Sequence, residues 1–271
     1  MDLSNDFVFR KPNNLFLSTI VDNYFYIDAN LSRQSLQPEF IIPFPRITFG
    51  YFFDNPFIVT NLNTNETVTI NIAISRISTQ QIIVQPTTDR LKIIGAHIKP
   101  YALAYLTKQP INSLPWLINT EELFGDIAVK FQKKIKDCQN ADQMFDEVEK
   151  VFLGTILVRD LSLVTKAVEL IETAKGNITI EDIAYRLSIS ERTLRNHFYE
   201  NIGCSPKEYI RIVKMKQVAY QLKNSEHSLT NIAYDNNYFD QAHFINEIKK
   251  ITGQSPNQLR KKIPHFRFLQ F

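Results

Sequence analysis

The sequence predicts an α+β protein with unlike halves: an amino-terminal β-rich barrel or sandwich, a helical linker, and an all-α carboxy-terminal part. Three observations carry this. Residues 40–98 hold short β-branched and aromatic runs cut by turn residues. From about Leu123 the apolar spacing becomes that of helices. The last hundred residues contain an internal repeat. At 271 residues the chain exceeds the roughly 100–200 residues typical of one domain. The boundaries expected are 1–122 for the β-rich domain, 123–160 for a linker or dimerisation segment, and 161–271 for the helical domain.

The strands are expected at Phe40 to Tyr51, Phe57 to Asn61, Thr67 to Ile77, Gln81 to Gln85 and Leu91 to Ile98. Their punctuation is Pro43, Pro45, Asp54-Asn55-Pro56, Asn63-Thr64-Asn65, Pro86 and Pro100. Many short strands so spaced favour a barrel or sandwich. In the linker, Ile127, Phe131, Ile135, Met144, Phe145, Val148, Phe152 and Leu153 recur at helical spacing. Such a row suits docking on the β-rich domain or pairing with a second subunit, and the spacing does not choose.

In the helical part, Ile183-Ala184-Tyr185 recurs 49 positions on as Ile232-Ala233-Tyr234, and Gly203-Cys204-Ser205-Pro206 recurs after 50 as Gly253-Gln254-Ser255-Pro256. Each copy opens on a helix cap, Thr179 with Asp182 and Ser228 with Asn231. A short helix, a polar break and a second helix follow. The second helix is capped by Ser190 in one copy and Asp240 in the other, with Leu194 and Phe198, or Phe244 and Ile248, turned inward. This is the helix-turn-helix pattern. Between the copies, Ser205-Pro206-Lys207-Glu208 combines proline at the first helical position with a capping box, starting a helix that runs to about Lys223. A rigid strut thus separates the two units.

With those residues inward, Arg192, Arg195, Asn196 and Tyr199 face out from the first unit, and Gln241, Ala242, Ile245, Asn246 and Lys249 from the second. Arginine suits guanine O6 and N7, and asparagine or glutamine suits adenine N6 and N7. Glu191 and Glu247 are the acidic residues on those faces. Charge points the same way. Residues 1–160 carry 15 basic and 17 acidic side chains, whereas residues 161–271 carry 16 and 11. A positive excess confined to one part is the footprint of contact with a polyanion. Lys207, Lys214 and Lys216 are candidates for phosphate contact, as is the Arg260-Lys261-Lys262 run.

Residues 163 to 262 resemble the AraC/XylS transcription regulators, most closely in Asp240-Gln241-Ala242-His243-Phe244, Lys249-Lys250 and Gly253-Gln254-Ser255-Pro256. The resemblance implies a regulator of double-stranded DNA, usually an activator that contacts RNA polymerase. It places base contacts on Arg192, Arg195, Asn196, Gln241, Ala242 and Asn246. The expected phosphate contacts are Thr179, Ser190, Tyr199, Lys207, Lys214 and Lys249. The chain departs from the family at Asn236-Asn237, where an apolar residue and glycine are usual. Asn237 suits the left-handed backbone. Asn236 buried without a partner would cost a few kcal/mol, and a weaker or more mobile second head is the expectation that follows.

In the amino-terminal half, Ile94-Gly95-Ala96-His97-Ile98-Lys99-Pro100, followed by a helical stretch with Leu114 to Leu117 and Leu123-Phe124-Gly125, resembles a cupin-like sensor domain. That implies a small-molecule effector and, with the linker, a homodimer. A metal cupin enzyme is the rival, but His97 is the half's one histidine. A protein-interaction module with a degenerate second helix-turn-helix is another. Phe40, Phe44, Phe49, Tyr51, Phe52 and Phe53 suit either a core or an effector pocket. No catalytic constellation, metal site or cofactor is expected. Cys138 and Cys204 cannot frame disulfides, which implies a reducing compartment. No apolar run reaches a membrane helix, and Asp2 and Asp6 stand where a signal peptide carries Lys or Arg. A cytoplasmic protein with no membrane partner is expected.

Overall fold

A computed structural model of the chain describes residues 7–31, 36–77 and 79–263; Asp2 and Asp6 lie outside them. Two open antiparallel sheets form the amino-terminal half. The first runs β1 (Phe7–Arg10), β2 (Val21–Asn30), β9 (Arg90–Ile98), β4 (Ile47–Tyr51), β7 (Ile72–Ser75), β10 (Leu117–Ile118). The second runs β3 (Glu39–Ile41), β8 (Ile82–Pro86), β5 (Phe57–Asn61), β6 (Glu66–Ile70). The barrel alternative is therefore corrected to a sandwich: β1 and β10 end one sheet, β3 and β6 end the other, and neither sheet closes on itself.

Two expected strands are each two. Pro43 and Pro45 remove ladder donors between β3 and β4, and Asn71 separates β6 from β7; in both cases the halves enter different sheets. β1 and the ten-residue β2 are additional to the expected strands, and the helical stretch expected at Leu114 to Leu117 is corrected: Leu117 opens strand β10, paired with β7. Residue alternation along β2 and β9 then makes two layers of core. Phe25, Ile27, Ala29, Leu91 and Ile93 meet Phe57 and Val59 of the second sheet. Tyr24, Ile94, Ala96 and Ile98 point the opposite way.

That opposite face is covered by the linker helices α3 (Asp126–Lys134) and α4 (Ala141–Leu153), which follow the short α1 (Leu17–Ile20) and α2 (Thr120–Phe124). Phe131 and Phe152 meet Phe49 edge-on, and Phe145 stacks on Tyr24. The apolar row of the linker, apart from the half-buried Ile127 and the exposed Leu153, is thus buried on the chain's own sheet, the first of the two uses its spacing allowed.

The rest is helical: α5 (Ser162–Thr173), α6 (Ile180–Arg186), α7 (Glu191–Asn201), α8 (Pro206–Asn224), α9 (Leu229–Asp235), α10 (Gln241–Thr252) and α11 (Pro256–Lys262). Helix α8 has 19 residues, about 28 Å at 1.5 Å per residue. Its first half, with Tyr209, Ile212 and Val213, belongs to the same core as the first sheet and α5–α7. Its second half, with Met215, Val218, Ala219 and Leu222, belongs to a separate core with α9–α11. Among the described residues no helix is long and apolar enough to cross a membrane.

Candidate nucleic-acid interface

Each helix of the repeat starts where its sequence places a cap. Thr179 accepts from the Asp182 N–H at 3.0 Å and Ser190 from Thr193 at 3.1 Å; Ser228 accepts from Asn231 at 3.1 Å and Asp240 from His243 at 2.7 Å. The turns match as well. Ser188 and Asn237 both adopt positive φ, 53° and 54°, the left-handed turn expected of Asn237. Leu194 and Phe198 in α7, and Phe244 and Ile248 in α10, are fully buried.

Anchoring those faces leaves the opposite rows in solvent. Arg192, Arg195, Asn196 and Tyr199 are exposed on α7; Gln241, Ala242, Asn246 and Lys249 are exposed on α10, with Ile245 half-buried. The acids of both rows are paired. Glu191 accepts from Arg195 one turn on, and Glu247 accepts from Arg211 of α8 at 3.0 Å. Neither carboxylate therefore faces solvent as an uncompensated charge opposed to a phosphate backbone.

The expected phosphate contacts divide. Lys207 and Lys249 are exposed. Thr179 and Ser190 are exposed too, but their hydroxyls already serve as caps, that of Thr179 also donating to the Asp182 carboxylate at 2.7 Å. Lys214 is half-buried: its ammonium lies 5.5 Å from the Tyr238 ring centre, and burial holds its pKa below the usual lysine value. Its stem is crowded by Gly176, where a Cβ would stand 2.6 Å from Lys214 Cγ. Arg260 donates to the His227 carbonyl, leaving Lys261 and Lys262 as the exposed members of that run.

Asn236, costly if buried without a partner, has two. It is buried, and its Nδ2 donates to Gln221 and to the Ile232 carbonyl. Three exposed aromatics were not anticipated as surface features: Tyr185, Tyr234 and Phe239 are 85%, 83% and 92% exposed. The first two are the repeated tyrosine of the Ile-Ala-Tyr motif, which was the available signal.

The amino-terminal half contains a cavity of about 400 Å³ between the two sheets, lined by Phe25, Phe44, Phe52, Phe57 and Trp116 among others. Of the six aromatics considered for a pocket, Phe44 and Phe52 line it, Phe49, Tyr51 and Phe53 lie in the core beneath the helices, and Phe40 faces α8–α11. His97 also lines the cavity, between the rings of Phe25 and Phe44. Burial lowers its pKa to about 4, so the imidazole is neutral at pH 7.

Two cations, Arg46 and Arg76, line this space, and Lys216 stands behind its Phe44 wall. Arg46 donates to Asp22 of β2 and to Glu172 of α5, while the Tyr209 hydroxyl also donates to Glu172. Burial opposes the Arg46 charge, yet these neighbours raise its pKa. Arg76 donates instead to three backbone carbonyls, those of Ile111, Asn112 and Gly203. Lys216 of α8, expected among the phosphate contacts, is instead half-buried, 5.0 Å from the ring centre of the cavity-lining Phe44. Burial lowers the pKa of both Arg76 and Lys216. No group of three or more His, Cys, Asp or Glu side chains among the described residues is placed to hold a metal ion.

Residues 183–262 match the family model described as a helix-turn-helix domain. No curated protein matches the sequence. Among solved structures, ToxT from Vibrio cholerae aligns with 15% identity over 88% of this chain and 98% of its own, at a TM-score of 0.51. ToxT from strain O395, bound to (E)-4-(8-methylnaphthalen-1-yl)but-3-enoic acid, aligns with 14% identity over 89% and 99%, again at 0.51. A transcriptional regulator with an AraC-type DNA-binding domain from Chromobacterium violaceum aligns with 22% identity over 38% of this chain and 92% of its own, at 0.36. The ToxT likeness shows a shared two-part fold, β-rich and then helical.

Proposed function

We propose that this chain, whose residues 183–262 match a helix-turn-helix domain, is a cytoplasmic AraC-type transcription regulator that reads two adjacent major-groove segments of double-stranded DNA. The observation that supports it is the pair of capped, inwardly anchored helices α7 and α10, each with an exposed polar row, joined through one continuous strut. Arg192, Arg195 and Asn196 read bases from the first head, and Gln241, Ala242 and Asn246 from the second. Thr179, Ser190, Tyr199, Lys207, Lys214 and Lys249 form the phosphate-contacting set, with Lys207 and Lys249 the best exposed of its cations. Residues 161–271 are the DNA-binding domain, 1–122 the sensor and 123–160 the linker. By the family resemblance the protein acts as an activator in contact with RNA polymerase, and as a homodimer.

The cavity is the effector site in this reading. Its size falls in the range of about 300–1,000 Å³ usual for small-molecule pockets. Arg76 lines it and Lys216 stands against its Phe44 wall, and neither makes a salt bridge to a carboxylate among the described residues. An apolar molecule bearing one carboxylate fits those walls and charges, and one crystallised ToxT holds such an acid.

Selection of bound duplexes from a random pool, followed by gel shifts of the winning sequence, tests the DNA reading. The expected result is one asymmetric site bound with strong salt dependence. Binding of all duplexes alike would overturn it.

A further inference from the structure

The two heads are attached to the amino-terminal half by unequal means. The first shares its core with the sensor: Leu194, Phe198 and Ile202 lie in one apolar cluster with Leu103, Ile111 and Phe49. Polar ties reinforce this, from Arg46 to Glu172 and from Arg76 to the Gly203 carbonyl. The second head has its own core, to which the sensor contributes Phe40, Ile42 and the half-buried Ile83. Beside them Gln81 abuts Gly253, where a Cβ would lie 3.0 Å from its Oε1.

Those contributing residues sit on a wall one strand thick. β3 pairs with β8 so that Phe40 stands opposite Ile83, and Ile41 opposite Ile82. Alternation sends the first pair outward into the core of the second head and the second pair inward to the cavity, together with Val84. Because β3 is a sheet edge, it is held by ladder bonds on one side and can shift at lower cost than a central strand.

We propose that an occupant of the cavity acts on the second reading head, displacing α9–α11 through the β3–β8 wall while the first head stays fixed to the sensor. This rests on the reading of the cavity as an effector site. The regulated quantity is then the position of one head relative to the other, and so the spacing or affinity of the second half of the DNA site. Arg76 is the competing route, since it lines the cavity and touches the first head. It is a single tie among many on a head that the common core already fixes.

Amide hydrogen exchange on the full chain tests this with and without DNA-independent occupancy of the cavity. The probe is (E)-4-(8-methylnaphthalen-1-yl)but-3-enoic acid, and occupancy is read from the fluorescence of Trp116, the single tryptophan, which lines the cavity. Val84→Phe from one wall and Ala73→Leu from the other fill the same space without ligand. Exchange in α9–α11 is expected to change about fivefold or more, the low end of ordinary coupling between sites, with α5–α7 unchanged. In Ile83→Ala the Trp116 signal is expected to persist while the ligand-dependent change in α9–α11 disappears. Equal changes in both heads, changes confined to α7, or silence in α9–α11 with the cavity filled would each overturn the proposal. Failure of the acid to alter Trp116 would overturn the effector class, and the two filling variants would still decide the coupling.

Discussion

The buried side-chain amide of Asn236 donates to the Gln221 side-chain carbonyl at 2.5 Å and to the Ile232 carbonyl at 2.8 Å, tying the turn of the second head to α8. Restoring the apolar residue usual in the family is therefore expected to destabilise. Asn236→Leu removes the donor from a half-buried Gln221 and should cost about 1–2 kcal/mol in chemical denaturation. Asn236→Leu combined with Gln221→Leu should recover part of that, because both partners are then apolar. A more stable single variant would mean that the amide pair contributes nothing.

Much of the helical part was legible because its signals are local. Thr179, Ser190, Ser205, Ser228, Asp240 and Ser255 each accept from a backbone N–H three residues on, a relation that sequence spacing states directly. Strand β2 was hidden for the opposite reason. Buried residues occur on both its faces, Tyr24 one way and Phe25 and Ile27 the other, so the adjacent buried pair Tyr24-Phe25 breaks the alternation midway along the strand. Its acids Asp22 and Asp28 read as loop residues until Arg46, Lys99 and Arg90 are seen to pair with them. The cavity was illegible because its walls come from strands far apart in sequence; only Phe44 and Phe52 had been singled out as candidates.

Arg46 ties three elements through Asp22 and Glu172, with 10% of its side chain exposed. Arg46→Ala is expected to leave the partly enclosed Glu172 without a cation and Asp22 with Lys99 alone, and to cost about 2 kcal/mol, below the 3–5 kcal/mol of a fully buried pair because both acids keep some water and Asp22 keeps a partner. Arg46→Lys should fall between, since an ammonium cannot fork to two acids. Urea titration of the three proteins checks this, and an unchanged midpoint for Arg46→Ala would show the network to be idle.

His97 gives stability a specific pH dependence. Its folded pKa of about 4 lies below the ordinary histidine value of 6.5, with burial the main cause, Asp22 opposing it, and Arg46 and Lys216 adding to it. Between those values the unfolded chain binds more protons, so stability is complete above about pH 6.5 and falls as pH drops toward 4, by about 3 kcal/mol in all. His97→Gln should lack that component. Denaturation midpoints from pH 7 to pH 4.5, compared between the two proteins, read it directly; parallel curves would mean that the imidazole is solvated.

Arg195 presents a choice between partners. In the free protein its guanidinium is engaged by Glu191, an exposed pair one helical turn apart, worth about 0.3–0.5 kcal/mol. A bidentate contact to guanine discriminates by about 1–3 kcal/mol, so duplex should displace the carboxylate. Arg195→Ala is then expected to relax preference at one base position, whereas Lys207→Ala should weaken all duplexes about equally and lower the salt slope by about 1. Glu191→Gln should bind slightly tighter than the parent protein, because the competing acid and its repulsion of phosphate are both gone. Quantitative gel shifts on single-position variants of the selected site separate these outcomes. Uniform loss in Arg195→Ala would reassign that side chain to the phosphate backbone.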